Sequence, residues 1–168
     1  MEFSKDGFSA PLQQLMNEHV SLRKDMEIFY EIIEEIDFET GPSIVNLFTL
    51  LHQQITAFNY KLKQHSKREE QGLFPILARH LGDHNRTIQE MEAEHEKAEQ
   101  HLLDFLTEAD KVGSAIDENV AQWISVFAFQ AHATLIQHFA KEEKFLFPLA
   151  ETMLSNDEKN QLVRLFQS

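Results

Sequence analysis

Two eleven-residue stretches of this chain repeat one pattern: HSKREEQGLFP from His65 to Pro75 and HFAKEEKFLFP from His138 to Pro148. Each holds a His, a basic residue three positions on (Arg68, Lys141), a Glu-Glu pair and a closing Leu-Phe-Pro. Residues four apart share one face of a helix, so His65 falls in line with Glu69, and His138 with Glu142. Two further histidines, His19 and His95, each directly follow a Glu and stand in the apolar stripes of other segments. Four imidazoles and two carboxylates on core-facing positions are what a two-metal site in a helical bundle requires. An uncompensated carboxylate in an apolar core is costly, and no Lys or Arg lies on these stripes to offset Glu69 and Glu142. Two cations would neutralise the pair and take the imidazole nitrogens as ligands. Such a mixture of nitrogen and carboxylate donors suits iron, manganese or zinc better than calcium or magnesium, which prefer all-oxygen shells. With no Cys in the chain, iron–sulfur clusters and thiolate zinc sites are disfavoured.

The elements that must position these residues show in the apolar spacing, which runs in steps of three and four with no alternating strand pattern. One segment starts near Ser9, with Pro11 in its first turn, and carries Leu12, Leu15, His19, Leu22, Met26, Phe29, Ile33 and Ile36. It should end before Gly41-Pro42. A second carries Ile44, Leu47, Leu51, Ile55, Phe58, Leu62, His65 and Glu69, with Gly72 and Pro75 expected to weaken or kink its end. Gly82 and Asp83 should then break the chain. The third reads Ile88, Met91, His95, Ala98, Leu102, Phe105, Ala109 and Val112, and stops at Gly113-Ser114. The fourth reads Val120, Ile124, Phe127, Ala131, Thr134, His138, Glu142, Phe145 and Leu149. A short fifth helix should follow Ser155-Asn156 with Leu162, Val163 and Phe166, and the first ten residues read as an arm with Phe3 and Phe8 free to tuck onto the bundle. Long amphipathic segments with short joints predict an all-α, antiparallel up-down-up-down four-helix bundle with a short C-terminal helix, built as a duplicated helix pair.

Composition narrows the function classes. The 168 residues suit a single domain over 1–168, with a core bundle over about 10–152. A net charge of −13 argues against nucleic acid and anionic membranes as partners. No apolar run approaches the roughly 20 residues of a membrane span, and the N-terminus lacks the basic and apolar regions of a signal peptide. Together with the absence of Cys, this points to the cytoplasm.

The order of the six residues resembles the hemerythrin-like family, also named for its His-His-Glu cation-binding motif. A lone His19, His65 with Glu69, a lone His95, and His138 with Glu142 fall in the family order, and Leu-Phe-Pro follows in both copies. The resemblance implies a non-heme centre of two oxo- or hydroxo-bridged iron ions, with Glu69 and Glu142 bridging and the four His as terminal ligands. Manganese or zinc remain open from ligand type. Oxygen-carrying hemerythrins have a fifth His four residues from another on the third helix, where this chain has Met91 and Glu99. Counted against two octahedral ions, four imidazoles, two bridging carboxylates and one bridging oxygen leave about two positions open, one of which Glu99 could fill. The pattern is closer to the di-iron domain of bacterial iron–sulfur repair proteins, though no Cys-containing segment is present. These features imply binding or sensing of oxygen or nitric oxide. The alternatives are a di-iron enzyme acting as peroxidase or nitric oxide reductase, an iron donor in cluster repair, and a structural metal site in an interaction module; a protein partner is not specified.

Other candidates read more plainly. Glu70 and Glu143 lie about 100° off the ligand face and should flank it. His52, His101 and His132 belong at the surface or edge. His80 and His84 straddle Gly82 in an expected turn, where a small surface metal site would also fit. Tyr30, Tyr60 and Trp123 suit ordinary packing or surface, with a place near the metals as the alternative.

Overall fold

Each predicted stripe winds into a helix, and the histidines ride on the buried faces. The computed structural model describes residues 7–39, 43–82 and 85–167. The long helices are α1 (Ala10–Phe38), α2 (Ser43–Arg68), α4 (Arg86–Val112) and α5 (Glu118–Lys141). Shorter helices α3 (Phe74–Leu81) and α6 (Phe147–Met153) continue α2 and α5, and α7 (Asn156–Phe166) ends the chain. Helix α1 packs against α2 and α5, and α4 against α5 and α2. The fold is therefore an all-α helical bundle with a short C-terminal helix, as the spacing predicts.

Local chemistry sets the ends. Asn85 accepts from the backbone N–H groups of Thr87 and Ile88 to open α4, and Asp117 accepts from that of Val120 to open α5. Ser155 and Glu158 form a reciprocal capping box at the start of α7. Ser9 instead directs its N–H and hydroxyl to Glu151, which also pairs with Lys159 at 3.2 Å, so α1, α6 and α7 are tied at one end. Gly82 (φ 100°) and Gly113 (φ 54°) take the left-handed backbone that ends α3 and α4. Phe3, Gly41-Pro42, Asp83 and His84 lie outside the described residues.

Gly72 and Pro75, expected to weaken or kink the end of the second segment, lie in and just after a departure from the regular α-helix. The helix runs on through a π turn, Glu69–Leu73, and the second copy repeats it over Glu142–Leu146. In each, a backbone N–H reaches five residues back, Phe74 to Glu69 and Phe147 to Glu142. The wider turn absorbs Pro75 and Pro148, which follow at once and have no N–H to donate. Gly72 also has a packing role. A Cβ there would meet Phe166 Cε1 at 3.0 Å and Leu162 Cδ2 at 3.3 Å, so glycine lets α7 approach this turn.

The extra residue in the π turn also shifts the helical phase by about 100°. Phe145 and Leu149, expected in the core, are exposed, and Leu146, Phe147 and Ala150 are buried in their place. Two apolar clusters result. One holds Leu22, Met26, Phe29, Phe58, Leu102 and Phe139. The other holds Leu12, Leu15, Phe74, Met91, Phe147 and Leu162. Helices α1 and α4 pass from one cluster to the other across their histidines, and α2 and α5 reach the second cluster through the π turns and the helices α3 and α6 that follow.

Candidate metal centre

All six predicted residues are buried and converge on one layer; none of His19, His65, Glu69, His95, His138 and Glu142 is more than 2% exposed. Their donor atoms form two groups, His19 with His65, Glu69 and Glu142, and His95 with His138, Glu69 and Glu142. Within each group one donor atom per residue lies within 4.8 Å of every other. Both carboxylates belong to both groups, which is the placement a bridging pair needs.

The inner contacts are short. His65 Nε2 lies 2.7 Å from Glu69 Oε1, and His138 Nε2 lies 2.9 Å from Glu142 Oε1. Across helices, His19 Nε2 is 3.3 Å from Glu142 Oε1 and His95 Nε2 is 3.5 Å from Glu69 Oε1. Yet neither oxygen of Glu69 or Glu142, nor Nε2 of His95 or His138, has a partner with hydrogen-bond geometry. Buried polar atoms that lack partners cost free energy. Here they share one enclosed space.

The outer nitrogens explain why. Each Nδ1 contacts a carboxylate: His19 with Glu143 at 2.7 Å, His65 with Glu18 at 2.8 Å, His95 with Glu70 at 2.9 Å and His138 with Glu94 at 3.0 Å. Donation of the Nδ1 proton outward leaves the Nε2 lone pair facing inward. The inner layer is then four imidazole lone pairs and four carboxylate oxygens, all acceptors. Nε2 of His19 and of His65 stand 3.0 Å apart, which two lone pairs tolerate only with a proton or a metal cation between. This donor set therefore fits metal cations.

Without metal, protons take that role. Burial pulls His65 down, but the adjacent charge of Glu69 and the hydrogen bond to Glu18 outweigh it and hold the ring at about 9. His95 is likewise lowered by burial but raised further by Glu69 and Glu70, to about 9. Burial, then the charge of His95, drops His138 to about 4, and burial lowers His19. Burial alone would raise Glu69, but His65 and His95 hold it well below the usual carboxylate range.

Aromatic rings wall the layer. Phe139 stacks on His19 with centroids 4.2 Å apart, and Phe74 lies parallel to His95 at 5.7 Å. Outside, Arg23 pairs with Glu143, Arg68 with Glu18 at 3.3 Å and Lys141 with Glu94 at 2.7 Å.

Glu70 and Glu143 flank the face as expected, and their role is to hold His95 and His19. Sequence reasoning missed Glu18 and Glu94 as partners of His65 and His138. Their signal was the Glu directly before His19 and His95, which acts on the histidine of the next helix rather than on its own. Glu99 belongs to neither donor group; it lines a surface groove with Asn59, Lys63 and Gln100. His80 contacts Glu158 at 2.8 Å, His52 lies 3.5 Å from Asp110, and His132 packs on Tyr30. Tyr60 and Trp123 are exposed.

Among the described residues no helix is long and apolar enough to cross a membrane. No curated protein matches the chain at a significant level. Residues 10–150 match the family described as the Hemerythrin HHE cation binding domain. That span takes in most of the chain and all six converging donors, and the chain belongs to this hemerythrin family of metal-binding helical domains.

Proposed function

We propose that this chain is a non-heme di-iron protein that binds or senses a diatomic gas, oxygen or nitric oxide. His19 and His65 would hold one cation and His95 and His138 the other, with Glu69 and Glu142, which belong to both donor groups, available to both. The observation that carries this reading is the inner layer of acceptors, its carboxylate oxygens buried without hydrogen-bond partners. Two divalent cations offset both carboxylate charges and engage every inward lone pair. When bound, such a pair supplies one-electron redox steps and exchangeable coordination positions.

The chain's own residues do the rest. Glu18, Glu70, Glu94 and Glu143 fix each imidazole by its Nδ1 proton, so the rings cannot turn away. Phe74, Phe139 and Phe147 enclose the layer and keep bulk water from it. A groove of about 230 Å³ between α1 and α2 reaches His65 past Leu22 and Tyr60.

The test is protein expressed in iron-supplemented medium, assayed for metal per chain and for near-ultraviolet absorption before and after reduction. About two irons per chain are expected, with bands that vanish on reduction and a new spectrum on adding oxygen or nitric oxide. Zinc alone, no metal, or a reduced iron protein indifferent to both gases overturns the reading.

A further inference from the structure

The two halves of the bundle repeat every charged contact around the centre except one. Three residues after His65 and His138 stand Arg68 and Lys141, which pair with the carboxylates that hold those rings, Glu18 and Glu94. Four residues after His19 stands Arg23, which pairs with Glu143, the carboxylate that holds His19. The matching position four residues after His95 is Glu99, an acid where its counterpart is a base. Among the described residues Glu70, which holds His95, has no Lys or Arg within ion-pair distance. Burial and the charge of Glu70 push the Glu99 carboxyl up, with His95 and Lys63 opposing and Glu96 reinforcing the shift. Lys63 forms no ion pair with it among the described residues.

Resting on the two-cation reading, we infer that the two positions are inequivalent: the one formed by His95 and His138 binds its cation more tightly than the one formed by His19 and His65, and Arg23 and Glu99 set the difference. Two effects act in the same direction. A carboxylate that accepts an imidazole N–H raises the basicity of the opposite nitrogen, and most strongly when no cation drains its charge. Glu70 is that carboxylate; Glu143, Glu18 and Glu94 each share their charge with Arg or Lys. The second effect is the field. Outside His19 and His65 the two pairs, Glu143 with Arg23 and Glu18 with Arg68, cancel. Outside His95 and His138, Glu94 with Lys141 cancels, Glu70 has no base paired with it, and Glu96 and Glu99 outnumber Lys63 along the adjoining groove. Arg23 and Glu99 touch no inner donor atom; they act as positioning residues through Glu143 and Glu70.

Metal-free protein titrated with Co(II), followed by visible absorption and calorimetry, tests this. Wild type should take two equivalents in resolved steps separated by about tenfold or more in affinity, the scale of outer-sphere effects on bound metals. Glu99→Arg should weaken the tighter step by about tenfold and bring the two together. Arg23→Gln should strengthen the weaker step and leave the tighter one in place. A role in folding alone would lower both steps and the melting temperature together, and the near-isosteric Glu99→Gln, at a half-exposed position, provides the second check with a smaller shift of the tighter step. Two equal steps in wild type, or a Glu99→Arg protein with both steps shifted alike, overturns the inference while leaving the two-cation reading standing. Uptake of fewer than two equivalents overturns both.

Discussion

At the scale of single residues, the histidines of the centre exchange protons for metal, and this gives the metal-free protein a characteristic pH profile. In that state His65 and His95 stay protonated up to about pH 9, against 6.5 for a histidine in an unfolded chain. A raised folded-state pKa stabilises fully below the unfolded value, and that contribution is lost as pH rises through the folded one. Stability from His65 and His95 therefore drains between about pH 6.5 and 9. His138, pulled down to about 4, and His19, also lowered, act in the opposite sense. The contribution of His138 is present above pH 6.5 and is lost as pH falls toward 4, and that of His19 is likewise lost as pH falls below 6.5. Chelated protein should be most stable near pH 6.5, with about 1.4 kcal/mol at stake for each tenfold change in a ring's proton affinity, before coupling between the sites. Thermal melts from pH 4 to 10 measure this directly. A melting temperature that climbs steadily from pH 6.5 to 9 contradicts the assignment of the two protonated rings.

At the scale of helices, the apolar stripes are legible in the sequence up to the two glutamates and slip just beyond them. A period of 3.6 places Phe145 and Leu149 inside, but the π turn inserts one residue and turns them out. Periodicity alone does not contain that step, because it depends on where Pro148 removes a donor. The matching Pro75 in the first copy was the one sign of it. The six inner residues were readable because each lies four or fewer residues from an apolar neighbour on its own helix. Glu18 and Glu94 were not, because they act across to another helix, and only packing reveals which. Helix α7 is a more local matter. Its capping box at Ser155 and Glu158 satisfies N–H groups that open the helix, and Leu162 anchors it in the cluster that contains Phe74. Ser155→Ala should cost about 1 kcal/mol and speed amide exchange in α7. Metal content should not change, since α7 contributes no inner donor. Equal exchange in mutant and wild type would show that the cap adds nothing to the docked helix.

At the scale of the whole molecule, the six polar residues form a layer between two apolar clusters, so the centre couples parts of the core that otherwise meet only through the helix backbones. Either cluster buries enough large side chains to hold helices together without metal, at roughly 1.5–3 kcal/mol for each fully buried one. Removal of metal should therefore leave a folded helical bundle rather than a random chain. The lost stabilisation follows from mass action: cation at a thousandfold excess over its dissociation constant contributes about 4 kcal/mol, provided the unfolded chain does not bind it. For a chain of this size each kcal/mol moves the melting temperature by about 2–4 °C, so removal of two such cations, about 8 kcal/mol together, should lower it by roughly 20 °C. Circular dichroism should show nearly unchanged helix content at 20–25 °C alongside that shift. The comparison also separates two designs for the layer. If protons on His65 and His95 compensated Glu69 and Glu142 as well as cations do, loaded and chelated protein would melt together at pH 6.5, where the proton-bound form is strongest. A gap that persists at pH 6.5 and widens toward pH 9 means that cations satisfy inward acceptors that two protons leave without partners.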